Sequence, residues 1–317
     1  MDEPPQHTQR DSTGAWLAVG SITLFSAKPI FIKWAYEYGV DATTLMTLRL
    51  LISAPFFLLA GAWAIRQRRP SVRDGVLAAG LGLLGAYLSG WLDMAGLMFI
   101  PAQLERMLLF TYPIFTVLLG WLLCRTPVTR AIGVCMLLTY SGLALMFGAD
   151  YALHGDNITV GTLLVLAASF SFALYMILSQ PPIHRMGSVA FTAIMMLSAT
   201  VAICLHHAVV GPMTDQHTSL AAQPLEIWVI AGLLAGLCTV TPAFMGSEAV
   251  KRLGPQQVSL MGNAGPIITS LLAVGFLGEV LSLQHALGMA LIVIGIAILQ
   301  RPPSGWRRPK LRPAGSR

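Results

Sequence analysis

Charged side chains are scarce in this chain, 11% of its 317 residues, and several of them interrupt stretches that are otherwise apolar. Lys28, Arg49, Asp93, Glu105 and Arg106 are the residues best placed to do chemistry. A charge at membrane depth costs ~3 kcal/mol or more, so each one needs a partner or a wet cavity. Three cations against two carboxyl groups leave one positive charge without a counterion when all are ionised. Such a surplus receives an anionic group, for example the carboxylate of an amino-acid-like metabolite. A second reading makes Asp93 and Arg106 a structural ion pair, sets Glu105 at the headgroups and lets Arg49 reach outward along its stem. Lys28 is the sharpest candidate for contact with a solute or with a coupling proton. Pro29 follows it, and a proline inside a helix leaves backbone carbonyls beside it unpaired. Lys33 reads as an end residue that snorkels.

Two further prolines, Pro113 and Pro266, fall near the middle of their segments and remove the hydrogen bonds to Leu109 and Gly262. The second follows Asn263 in Gly262-Asn263-Ala264-Gly265-Pro266, a weak helix carrying one amide. Paired kinks of this kind line a central cavity in one reading and are simply tolerated in membrane helices in the other. Trp91 and Tyr175 join the candidate binding residues, because an aromatic ring with one polar atom suits a partly apolar site. Serines and threonines in such helices mostly bond their own backbone. His206 and His207 are helix neighbours pointing to different faces, and no metal site is expected. The Cys residues lie in apolar segments and imply no disulfide framework. No zinc-protease, phosphate-loop or nucleophile-elbow signature occurs, so neither catalysis nor a cofactor is expected.

These residues must be held by membrane helices. Apolar residues make up 55% of the chain and its mean hydropathy is +0.69. Uninterrupted runs without Asp, Glu, Lys or Arg are long enough to cross hydrocarbon, and roughly ten spans result. They fall near 14–36, 43–65, 74–98, 101–124, 128–148, 159–180, 188–211, 225–250, 255–277 and 282–300, with longer connections only at 149–158 and 212–224. All but four of the 20 basic residues sit in linkers on one side or in the tails, and the opposite linkers carry Asp41, Asp150, Asp156, Asp215 and Glu279. The positive-inside rule therefore puts both termini, residues 1–13 and 301–317, in the cytoplasm. Net positive charge of this distribution speaks for membrane orientation and against nucleic acid.

A repeat is visible as well. Ala95, Pro101 and Gln103 align with Ala249, Pro255 and Gln257, and Pro113-Ile114-Phe115-Thr116 aligns with Pro266-Ile267-Ile268-Thr269. Five spans per copy is an odd number, so the copies enter the membrane with opposite orientation, the architecture of alternating access. Lys33, the Thr44 to Arg49 stretch, Ala95 with Pro101-Ala102-Gln103 and Pro113, and Ala249 with Pro255-Gln256-Gln257, Pro266 and Gly278-Glu279 together resemble the drug/metabolite transporter superfamily, in its branch with two tandem EamA repeats. One departure is clear: where the second copy ends its fourth helix in Gly278-Glu279, the first has Cys124-Arg125-Thr126.

The expected fold is all-α and integral to the membrane, ten transmembrane helices as two inverted five-helix repeats, 14–148 and 159–300. The resemblance implies a permease in the cytoplasmic (inner) membrane that exports amino-acid-like or other carboxylate-bearing solutes. The expected site comprises Lys28, Arg49, Trp91, Asp93, Arg106, Tyr175 and Asn263, with kinks at Pro29, Pro113 and Pro266. Expected partners are a small solute, protons as a candidate coupling ion and the bilayer, with a homodimer left open. The alternatives are an exporter of lipophilic cations and a membrane protein that transports nothing.

Overall fold

The computed structural model describes residues 12–124, 130–154, 157–210, 219–253, 258, 261–262 and 264–299. Within them α1 runs over Ser12–Glu37, α2 over Ala42–Gln67, α3 over Val72–Leu97 and α4 over Ala102–Leu109 and Tyr112–Cys124. Next come α5 at Arg130–His154, α6 at Asn157–Met186 and α7 at Ser188–Val210. The remaining helices are α8, from Leu225 to Leu253, α9 at Gly265–Leu277 and α10 at Leu283–Leu299. Eight are long and apolar enough to cross a bilayer, and α9 and α10 are shorter. The 149–158 connection expected from sequence is largely helix, because α5 continues to His154 and α6 starts at Asn157. Arg125, Thr126, Asp156, Asp215, Pro255, Gln256, Gln257 and Asn263, with residues 1–11 and 300–317, lie outside the described residues.

The two copies interlock rather than standing side by side. Helix α1 packs on α8 and α9, and its counterpart α6 packs on α3 and α4. Helix α2 packs on its own counterpart α7, and α5 on α10. Exchanging each helix with the one five places along reproduces the same contacts, as two inverted repeats require. Without a hydrophobic drive in lipid, such packing relies on close approach of small residues. At the α5–α10 crossing a Cβ built on Gly142 would lie 2.5 Å from the Gly288 carbonyl oxygen, and one on Gly288 2.6 Å from that of Gly142. Large apolar side chains such as Leu59, Leu137, Leu163 and Leu271 face outward, where only acyl chains satisfy them.

Regular helix is broken at matching places in both copies. A π turn widens α3 at Leu83–Leu88 and another widens α8 at Gly236–Val240. Helix α4 stops at Leu109 and resumes at Tyr112, just before Pro113, while α9 begins at Gly265 after a turn at Ala264, just before Pro266. Broken helices at membrane depth are stable only where other groups take up the freed backbone. Here the other repeat supplies them. The Leu109 carbonyl, which Pro113 cannot reach as a donor, accepts from Ser169 Oγ of α6 at 3.2 Å. Ser26 Oγ of α1 donates to the Gly265 carbonyl at 3.1 Å, and Thr269 Oγ1 of α9 donates back to the Ser26 carbonyl at 2.9 Å.

Candidate functional site

The α3–α4 hairpin turns between Leu97 and Ala102, which brings Asp93 and the Glu105-Arg106 pair to the same level. Helix α1 lies against both. Lys28 Nζ donates to Asp93 Oδ2 at 2.6 Å, with the lysine side chain 17% exposed and the aspartate 4%. The sequence reading paired Asp93 with Arg106; in the structure Lys28 takes that place. Arg106 instead donates from Nη2 to the Phe25 carbonyl at 3.0 Å. Phe25 precedes Pro29 by four residues, so its carbonyl is the one that proline leaves without an amide partner. The guanidinium thus serves the α1 kink.

Glu105 is buried rather than set at the headgroups. Its carboxyl group neighbours that of Asp93. Asp93 Oδ1 and Glu105 Oε2 are both buried and neither receives a hydrogen bond from a nitrogen or hydroxyl among the described residues. The sequence groups Glu105 with Lys28, Arg49, Asp93 and Arg106 but leaves it out of the expected site; in the structure the first turn of α4 buries it with them.

Arg49, from the middle of α2, completes the cluster. It is buried, feels the Asp93 charge, and its Nε meets no acceptor among the described residues. The outward-reaching alternative for this residue does not hold, because α2 turns it into the bundle against α3 and the π turn of α8. Arg106 Nε and Gln103 Oε1 are likewise buried without a partner. Buried polar atoms are ordinarily paired, so the four unpaired ones of Arg49, Asp93, Glu105 and Arg106, gathered in one cluster, mark a site built for something polar. Tyr36 closes one side, donating from Oη to the Met94 carbonyl at 2.6 Å.

Trp91 lies two residues along α3 from Asp93; its Nε1 donates to Thr43 Oγ1 at 2.9 Å and its ring sits 5.1 Å from His206. His206 Nδ1 in turn lies 2.9 Å from Tyr87 Oη, so a polar aromatic row leads from the cluster along α3 toward α7. Tyr175 is placed elsewhere. It packs over Gly85 and against Phe172 and Phe191, with Ala78 and Leu81 nearby. Pro29 and Pro266 are buried at their kinks and Pro113 is half-buried at the α4 break. Ser169 and Ser171 do not bond their own helix alone: Ser171 Oγ donates to the Leu84 carbonyl of α3 at 2.8 Å. No group of three metal-ligating side chains occurs among the described residues.

One carboxylate outside the cluster ties the repeats together at the acidic end. Gly278, in the left-handed region at φ 67°, turns the chain after α9 and presents Glu279 to the start of α4. There Glu279 Oε1 accepts from the Ala102 amide at 2.6 Å and Oε2 from the Gln103 amide at 3.2 Å. Two orphan amides of the helix start are thereby capped by a charge of the favourable sign. Lys33 feels both Glu279 and Glu105, and with Tyr36, Glu37, Pro101 and Glu279 it lines a cavity of about 480 Å³. At the basic end the repeats are joined by Arg185 and Asp74, 2.7 Å apart.

Residues 12–148 and 159–301 each match the EamA-like transporter family. The chain is 32% identical over 286 residues to the uncharacterized transporter YcbK of Bacillus subtilis (strain 168), covering 86% of this chain and 88% of that one. It is 26% identical over 290 residues to the uncharacterized transporter sll1319 of Synechocystis, covering 87% and 86%. It is 24% identical over 281 residues to the uncharacterized inner membrane transporter YedA of Escherichia coli (strain K12), covering 85% and 88%. A solved crystal structure 21% identical in sequence superposes with a TM-score of 0.62, over 91% of this chain and 96% of that one, and shares the fold.

Proposed function

The chain belongs to the EamA-like transporter family, and from that premise we propose that it exports small carboxylate-bearing, amino-acid-like solutes by alternating access of its two repeats. A membrane transporter it is by family; the solute class and the route are the reading offered here. The observation that carries it is Arg49, a buried guanidinium whose Nε meets no acceptor among the described residues. Guanidinium presents its donors in a fork that matches a carboxylate, and in a water-poor site that contact is strong. Lys28 is held by Asp93 and Arg106 reaches the Phe25 carbonyl through Nη2, whereas Arg49 makes no side-chain hydrogen bond to any described residue and is the cluster cation taken here to receive an anion. An exporter of lipophilic cations would want a carboxyl group free of cations, and Asp93 has Lys28 on it. Outward direction rests on the family resemblance alone. The basic end, with Arg66 and Arg185, faces the cytoplasm in this reading, and so do both tails.

The test is flux in proteoliposomes loaded with a mixture of isotope-labelled amino acids and hydroxy acids. Wild type should release one or more of the carboxylates, and Arg49→Gln should lose that release while remaining folded. Arg49→Lys should keep the charge and lose most of the rate, because an ammonium does not reproduce the fork. Undiminished release by Arg49→Gln would remove Arg49 from the pathway and the proposal with it.

A further inference from the structure

The contact between Asp93 and Glu105 demands an explanation that the carboxylate site does not provide. Both side chains are buried and neighbour each other, and each keeps a buried oxygen that has no hydrogen-bond partner among the described residues. An ionised carboxylate only accepts, so two of them in contact repel; they become a hydrogen bond when one carries a proton. No other donor is offered to Asp93 Oδ1 or Glu105 Oε2 among the described residues. The missing partner between two acceptor oxygens is a hydrogen ion. We infer that the Asp93–Glu105 pair is a proton-binding site, the seat of a coupling ion adjoining the anion site at Arg49.

The surroundings suit that role. From α1 the pair is faced by Lys28, Lys33 and Tyr36, from α2 by Arg49 and from α4 by Arg106, and the Cys238 thiol of α8 lies near Lys28, Arg49 and Arg106. Among the described residues Lys28 is the one that bonds the pair, on Asp93 Oδ2, and Oδ1 is left without a hydrogen-bond partner. One proton shared by the two carboxyl groups would leave a single negative charge among these cations. A dyad with one proton is the state two neighbouring acids adopt when they cannot both ionise.

The deeper consequence rests on the carboxylate reading above. With the proton bound the cluster is one charge more positive, so an anion binds it more tightly; by reciprocity, the anion raises proton affinity by the same factor. Solute and proton then cross together, and outward movement is driven by the solute's own gradient. Lowering the pH should strengthen anion binding and weaken the binding of any cation. Glu105 is therefore assigned the coupling function, while Asp93 divides its two oxygens between Lys28 and the proton.

The experiment is infrared difference spectroscopy of the purified wild-type protein in lipid, between neutral and strongly alkaline buffer, with no solute added. The expected result is a carbonyl stretch of a neutral, buried carboxyl group at neutral pH that shifts in heavy water and disappears in alkali. Carboxyl-labelled ¹³C-glutamate or ¹³C-aspartate should move that band in the unmutated protein, and Glu105→Gln should abolish it. Absence of the band from wild type overturns the proposal, and so does a band that survives both Glu105→Gln and Asp93→Asn. The isotope arm decides the matter even if the variants misfold, since a band that neither label moves belongs to no Asp or Glu and counts against the pair. Because no solute is involved, this spectrum fails with the proton site, whereas the Arg49 flux assay fails with the carboxylate reading.

Discussion

In the cluster the first repeat contributes Lys28, Arg49, Asp93, Glu105 and Arg106, whereas the second contributes hydroxyls and broken backbone around it. Both repeats share the π turns, the proline breaks and the exchange of helix contacts. The side chains are not shared: α1 brings Lys28 to the cluster, whereas Tyr175 of α6 is an aromatic packed elsewhere. Backbone discontinuity is thus the property of the duplicated scaffold, and charge is the property of one copy. The arrangement makes sense energetically. A second set of buried charges would carry its own desolvation cost, while a hydroxyl that caps a freed carbonyl is inexpensive and holds the break open.

Substitutions that strip the first repeat of its charges should therefore have larger effects than those in the second. Lys28→Met leaves Asp93 buried beside Glu105 without its cation, and a loss of about 3–5 kcal/mol is expected. Thermal unfolding in detergent measures it, and the double variant Lys28→Met with Asp93→Asn should recover most of the stability without recovering flux. Arg106→Gln comes next. It leaves the Phe25 carbonyl at the α1 kink with a weaker partner, and roughly 1.5–3 kcal/mol should be lost in the same measurement. The smallest effect belongs to the second repeat: Ser169→Ala removes the hydroxyl on the Leu109 carbonyl and should cost ~1 kcal/mol, with flux altered less than by either charge variant. If Ser169→Ala proved as damaging as Lys28→Met, the division between charge-bearing and scaffold-bearing copies would not stand.

Much of this molecule could be read from its sequence, because hydrocarbon permits few ways to satisfy a backbone. Run lengths located the helices, and the odd number of spans per copy gave the inversion. Helix rise put Asp93 and Arg106 at one depth, yet depth is only one coordinate. Which of Lys28 or Arg106 meets Asp93 depends on rotation about the helix axes and on where α1 lies, and neither is written in the α3–α4 hairpin. The π turns at Leu83–Leu88 and Gly236–Val240 left no local signature, since widening a helix by one residue changes no residue type. The Glu279 cap was half visible: Gly278-Glu279 marked a turn, while its target at Ala102 and Gln103 lies in the other repeat. Placing Tyr175 beside Lys28 would have required the repeats to bring equivalent positions together, whereas inversion sends them to different clusters.

Thermal unfolding of purified wild type and Arg49→Gln, in parallel, against a panel of metabolites sorted by charge puts the vacant guanidinium to the most direct test. A ligand of the folded state raises the midpoint in proportion to its occupancy. At least one carboxylate should raise the midpoint of wild type, more strongly in mildly acidic buffer, and should leave Arg49→Gln unmoved. Stabilisation by organic cations alone, or by a carboxylate that acts equally on both proteins, would contradict it.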